Sequence, residues 1–145
     1  MGLPDLDLLL DAEHLRLIDE LGAIAGIDQA TAALTRLRHD GVPPEVAATV
    51  LTQARLRTRA VAKFGGFAAR MLFTEDGLQQ ATRLGIAARH AERYRSAGLA
   101  RIADLGCGVG GDAMAFAGLG LAVRAVERDP VTAAIAAYNL APFPE

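Results

Sequence analysis

The residues whose types and spacing best suit chemistry lie between Asp104 and Asp129. Asp104 is followed at alternate positions by Gly106, Gly108 and Gly110, and then by Gly111 and Asp112. Glycines in that pattern allow φ values closed to other residues and let a ligand approach the backbone. Gly111 and Asp112 open a helix whose first amide groups are free to donate. Glu127 stands 23 residues beyond Asp104. At the tip of a second apolar run, such a carboxylate can accept hydrogen bonds from both hydroxyls of a ribose. The chemistry implied is the binding of a nucleoside at the edge of a sheet.

The elements that must position these groups follow from periodicity. Residues 102–105 form a short apolar run that stops at glycine, and residues 112–118 carry small and apolar side chains at helical spacing. Residues 121–126 form the second run, ending at Glu127. Two parallel strands joined by one helix make a right-handed crossover. That topology sets the glycine turn and the acidic tip side by side, at the carboxyl ends of the strands where open α/β sheets bind ligands.

Several nucleoside cofactors use such an edge. Gly106, Gly108 and Gly111 also satisfy G-x-G-x-x-G, the dinucleotide fingerprint. A pyrophosphate on the helix N-terminus would be repelled by Asp104, whereas the cationic amino group of a methionine moiety would be attracted. The acid before the glycines therefore favours S-adenosylmethionine. No G-K-[ST] follows the glycines, which argues against a phosphate-binding P-loop.

The run Asp104-Leu-Gly-Cys-Gly-Val-Gly-Gly-Asp112, followed by Ala125-Val-Glu-Arg-Asp-Pro-Val-Thr-Ala-Ala-Ile-Ala-Ala-Tyr-Asn139, resembles the first two motifs of class I S-adenosylmethionine-dependent methyltransferases. Within them it is most similar to the trimethylguanosine synthase type, which are RNA cap guanine-N2 methyltransferases, and to bacterial relatives with a THUMP-like domain. Asp104, Cys107 to Gly111, Glu127, Asp129, Pro130 and Asn139 match the pattern. The resemblance implies that Asp104 and the glycines line the methionine end of the cofactor, Glu127 its ribose, and Arg128 and Asp129 the adenine edge. Upstream, Met71-Leu-Phe-Thr-Glu-Asp-Gly resembles the segment preceding the catalytic core, which makes Phe73 and Thr74 substrate-pocket candidates. RNA or a nucleoside is the substrate class implied, with an amino group of a nucleobase as methyl acceptor. A small-molecule methyltransferase and a non-catalytic dinucleotide-binding or interaction module stay open beside it.

A complete core of the resembling type has seven strands, with an N-P-P-[WYF] or D-P-P-[WYF] motif after the fourth. This chain contains no such motif. The expectation is an α/β chain in which an N-terminal helical bundle (residues 1–62) and a basic helical connector (63–100) precede the first half of a Rossmann-like methyltransferase fold (101–145). It is read as the N-terminal part of a longer enzyme, inactive alone and weak at best in cofactor binding, with catalytic residues unknown. An unpaired apolar strand edge in so small a sheet invites pairing with another chain, hence a homo-oligomer.

Composition fits a folded chain. Of its 145 residues, 52% are apolar and 22% charged, so disorder is not expected. The apolar runs are short and the N-terminus carries acids where a signal peptide carries bases, so a cytoplasmic protein without membrane spans is expected. One cysteine, Cys107, excludes an internal disulfide. Cys107 reads as a small residue fitting the turn, and the scattered His14, His39 and His90 as surface residues, with no metal site.

Net charge is −2, but residues 1–54 sum to −6, residues 55–101 to +7 and residues 102–145 to −3. Arg55, Arg57, Arg59, Lys63, Arg70, Arg83, Arg89, Arg93 and Arg95 could contact a nucleic-acid backbone, or be solvated helix faces.

The N-terminal third reads as three helices. The first covers 5–25, capped by Asp5 or Asp7, with a stripe of Leu6, Leu9, Leu10, Leu17, Ile18 and Leu21. The second starts at Asp28 and buries Ala32, Leu34 and Leu37; the third starts at Pro43-Pro44 and runs to about Val61. Phe64-Gly-Gly-Phe67 then either presents rings to a guanine or stops the helix with two core aromatics. Thr74 caps a further helix, and another covers 84–96.

Overall fold

A computed structural model describes residues 3–143, with side chains from Leu6 onward. Helices α1 (Leu3–Leu10), α2 (Ala12–Leu21), α3 (Ile27–His39) and α4 (Pro44–Phe64) come first, followed by a 3-10 helix, Gly65–Arg70. Helices α5 (Glu75–Gln80) and α6 (Leu84–Ser96) lead to strand β1 (Arg101–Leu105), helix α7 (Gly111–Gly118), strand β2 (Ala122–Val126) and helix α8 (Pro130–Leu140). The strands pair in parallel, Arg101 opposite Ala122 and Leu105 opposite Val126. The expected α/β class, helices first and part of a Rossmann-like fold after, is what the chain forms.

The single helix expected over 5–25 is two. Asp11 adopts an extended conformation (φ −63°, ψ 134°) and its carboxylate accepts from the amides of Glu13 and His14 at 2.9 and 3.2 Å, capping α2. On the other side of the break the His14 ring hydrogen-bonds the Leu8 carbonyl at 2.6 Å, so His14 joins the two helices and is half-buried. Asp7 lies inside α1 and caps nothing; the Asp5 side chain lies outside the described residues. Leu9 and Ile18 are buried as expected, whereas Leu10, the last residue of α1, is exposed. In α3 the N-cap is Gly26 and not Asp28, and Ala33, one position from the expected Ala32, faces inward.

Helix α4 begins with Pro44 in its first turn, where the missing N–H has no intrahelical partner to lose. It runs to Phe64, and Gly65 ends it with φ +56°. Phe64 is buried and packs at 41° on Phe73 with ring centroids 5.6 Å apart, while Phe67 is exposed. The stop thus carries one core aromatic and one surface aromatic.

The main core is continuous between the helical part and the sheet part. Leu37, Val50, Leu56 and Phe64 from the first join Val109, Met114, Val131 and Ile135 from the second. A smaller cluster, Ala87, Ala91, Ala115, Phe116 and Leu121, packs α6 and α7 onto one face of the strands through Ile102 and Val123. The opposite face shows Leu105 and Val126 to solvent. Among the described residues no helix is long and apolar enough to cross a membrane.

Candidate cofactor site

The glycine turn is pinned to the tip of β2. The Val126 carbonyl accepts from Gly106 N at 2.7 Å and from Cys107 N at 3.0 Å, and Gly110 N closes the turn onto the Cys107 carbonyl at 2.9 Å. Gly108 N donates to Glu127 Oε2 at 3.1 Å, and Asp129 N to Glu127 Oε1 at 2.9 Å. One carboxylate therefore bridges the turn and the start of α8. Gly106 (φ +81°) and Gly108 (φ +57°) take left-handed conformations, and an added Cβ at either would meet nothing, so the turn's outer side is open to a ligand.

The backbone bonds from Asp129 and Gly108 hold the Glu127 carboxyl below its ordinary range despite some burial. Glu127 is thus charged at neutral pH, with lone pairs left for further donors. Asp129 caps α8, its Oδ1 accepting from Thr132 N at 2.8 Å and from Thr132 Oγ1 at 2.7 Å, which lowers its own carboxyl's proton affinity.

Asp104 is the contrasting case. Its Oδ2 is buried without a hydrogen-bond partner. Burial first, and the Asp112 carboxylate second, push its pKa up, with the Ala113 amide partly offsetting them. Asp112 lies in the first turn of α7, one residue past Gly111, and Gly110 is the N-cap. Cys107 sits within reach of both ends. Burial, then the Asp104 and Glu127 carboxylates, push its thiol up to about 11. That keeps it a neutral thiol at physiological pH.

Two hollows flank the turn. One, about 660 Å³, is lined by Gly108, Glu127, Arg128 and Asp129 from the sheet part and by Thr74 and Gly77 from α5 and the residue before it. The other, about 820 Å³, is lined by Asp104, Asp112 and residues of α6. Glu127 with Arg128 and Asp129 thus opens on one side of the turn and Asp104 with Asp112 on the other. The Asp104 and Glu127 carboxylates therefore face different hollows, and the glycine turn with its open outer side stands between them.

Thr74 caps α5, its Oγ1 accepting from Gly77 N at 3.0 Å. Phe73 is wholly buried against Phe64, so it supports the wall and does not line the hollow. Several basic residues also have internal partners. Arg57 is buried, donating from Nε to the Met71 carbonyl at 2.8 Å and from Nη1 to Asp19 at 2.6 Å. Lys63 donates to the carbonyls of Leu78, Gln79 and Ala81, which end α5, and Arg59 pairs with Glu75. Arg57 and Lys63 are thus structural, whereas Arg55, Arg70, Arg83, Arg89 and Arg93 are exposed.

Two further residues hold this site in place: Gln53, which the sequence reading passed over, and Asn139, which it matched to the motif without giving it a role. Gln53 and Phe73 exchange two hydrogen bonds, Nε2 to the carbonyl at 2.8 Å and amide to Oε1 at 3.1 Å. Asn139 accepts from Leu72 N at 2.8 Å and donates to the carbonyls of Leu72 at 3.0 Å and Val109 at 2.8 Å. Apart from the Met71 amide, which donates to the Ala68 carbonyl, the backbone of the segment Met71 to Phe73 is therefore satisfied by side chains of α4 and α8. Gly77 is a close approach: an added Cβ would stand 2.5 Å from Val109 Cγ1.

The chain is similar to ribosomal RNA small subunit methyltransferase J of Cronobacter sakazakii, 36% identical over 134 residues, covering 88% of this chain and 52% of that protein. It is 32% identical over 126 residues to the protein of the same name from Erwinia tasmaniensis, covering 84% of this chain and 50% of that protein. The chain spans about half the length of the curated relatives it matches. Both relatives are named as ribosomal RNA methyltransferases, which does not single out the trimethylguanosine synthase type. Residues 2–60 match a family described as a domain of unknown function (DUF8688). No solved structure matches the chain significantly.

Proposed function

We propose that this chain carries the cofactor-binding half of an S-adenosylmethionine-dependent methyltransferase acting on RNA, with an amino group of a nucleobase as methyl acceptor. The observation that carries the reading is the Glu127 bridge. A single charged carboxylate ties the glycine turn to the acidic strand tip, where it still has lone pairs for ribose hydroxyls. The names of the relatives supply the RNA part of the reading.

When bound, the cofactor supplies a methyl group already activated by its sulfonium. The chain's own work is to hold and orient it. Asp104 and Asp112 offer negative charge to the ammonium of the methionine end, Glu127 fixes the ribose, and the glycines admit the ligand against the backbone. Proximity and exclusion of water then govern the rate. The motif to which the resemblance assigns alignment of the acceptor nitrogen does not occur in this sequence, and the 145-residue chain by itself is expected to lack turnover.

Calorimetric titration with S-adenosylhomocysteine and with NAD tests the reading. Weak, saturable binding of the first and none of the second is expected. Binding of NAD alone would replace the methyltransferase reading with a dinucleotide module.

A further inference from the structure

A third hollow, about 450 Å³, lies between α2, α4 and the 3-10 helix and shares no lining residue with the two beside the glycine turn. That volume falls within the span of small-ligand sites, about 300–1,000 Å³. Ile18, Val61 and Ala69 give it apolar walls. Gly65 and Gly66 add a stretch of bare backbone, where an added Cβ would meet nothing within 4 Å. Its one hydroxyl, Thr58 Oγ1, is already engaged, accepting from Ile24 N and donating to the Ala54 carbonyl. The polar groups left to meet a ligand are charged: Asp19, Arg57 and Arg70.

Arg57 has a donor to spare. Its side chain is only 8% exposed, and Nε and Nη1 are committed to the Met71 carbonyl and to Asp19. Nη2 makes no hydrogen bond among the described residues, yet it is not among the polar atoms sealed inside the protein without a partner. The little of Arg57 that solvent reaches lines the hollow, so the free N–H groups of Nη2 are available there. Arg70 adds a second, exposed guanidinium. Two guanidinium groups against one carboxylate leave the hollow positive, and their planar forks suit phosphate oxygens. In the same 3-10 helix Phe67 is 52% exposed, a free ring face of the kind on which unpaired bases stack.

Resting on the proposed action on RNA, we propose that this hollow is a nucleotide subsite remote from the cofactor, taking one residue of an unpaired RNA strand, with its base in the apolar part against Gly65 and Gly66 and its phosphate on Arg57 Nη2 and Arg70. A free mononucleotide carries the same chemistry. The strand is distinguished by neighbouring residues that add contacts outside the hollow. Binding of this kind releases counterions from the phosphates and so weakens as salt rises.

The test is fluorescence anisotropy of a labelled hexauridylate with the full 145-residue chain, at about 50 and 200 mM salt. Uridine probes carry no adenine for the cofactor site. Replacing Arg57 would also free the Met71 carbonyl, so the variants are Ala69→Leu, which narrows the hollow, and Arg70→Glu, both at exposed positions. Unchanged melting temperatures establish that both remain folded. The unaltered chain is expected to bind, with Ala69→Leu weaker by roughly five-fold or more, the scale of one stacked base. Arg70→Glu should lose a similar factor and show a shallower salt dependence. Unlabelled hexauridylate should displace the probe far better than uridine monophosphate. Equal displacement by the mononucleotide would make a free nucleotide the occupant and overturn the strand. Full affinity in Ala69→Leu, even with a loss in Arg70→Glu, would reduce the contact to surface charge and overturn the subsite. Titration of the same chain with S-adenosylhomocysteine separates the two readings. No binding of hexauridylate where that ligand binds overturns the subsite and leaves the cofactor site standing; the reverse result overturns the cofactor site alone.

Discussion

At the scale of single residues, Asp104 is kept in a setting unfavourable to its own charge. Its pKa is raised in the folded chain by burial and by Asp112. A group raised in this way contributes stability that is complete below its unfolded range and lost as pH rises through the folded value. Above that value, Asp104 therefore stands against the fold. Asp104→Asn is expected to raise the melting temperature at pH 7, with the gain shrinking toward pH 4 as the native carboxyl becomes protonated. The same substitution should remove measurable affinity for S-adenosylhomocysteine. Thermal melts at the two pH values, paired with titration, check both halves, and a variant less stable at pH 7 sinks the account. Cys107 gives a second residue-scale expectation. With its thiol pushed up to about 11, alkylation by iodoacetamide at pH 7.5 should run many-fold slower than for a free thiol. Reaction at the rate of free cysteine would contradict that environment.

At the scale of elements, the segment between the 3-10 helix and α5 joins the two parts of the molecule. Asn139 makes three hydrogen bonds to backbone groups of Leu72 and Val109, all between buried residues. Asn139→Ala leaves three buried backbone groups without partners, each costing about 1–3 kcal/mol. A loss on the order of 3 kcal/mol or more is expected in urea unfolding, together with weaker cofactor binding, because Val109 lies inside the glycine turn. A loss under about 0.5 kcal/mol would show that water or relaxation replaces the amide. What was legible in the sequence divides along the same line. The strand, turn, helix and strand from Arg101 to Val126 were readable because period and glycine placement change within a few residues. The break at Asp11 was hidden because leucines continue on both sides of it, and only a cap bond two or three residues long reveals it. The clamp on Met71 to Phe73 was illegible for another reason, since its partners lie 14, 20 and 67 residues away.

At the scale of the whole molecule, the sheet is covered unevenly. Helices α6 and α7 partly bury Ile102 and Val123 on one face, while the registered pair Leu105 and Val126 on the other is 77% and 42% exposed. A two-stranded parallel sheet with an open face and unpaired edges is rarely left in that state, because parallel sheets are normally buried on both sides and free edges recruit further strands. We propose that a second copy of the chain supplies this cover in solution. Sedimentation velocity is then expected to show association that rises with protein concentration, and Leu105→Lys should shift the population toward monomer. Leu105 makes this a clean test, since a side chain so exposed contributes little to the fold of its own chain and a charge there disturbs mainly what docks upon it. Sedimentation as a monomer throughout the micromolar range, with no change in Leu105→Lys, would leave the open face without a partner of its own kind.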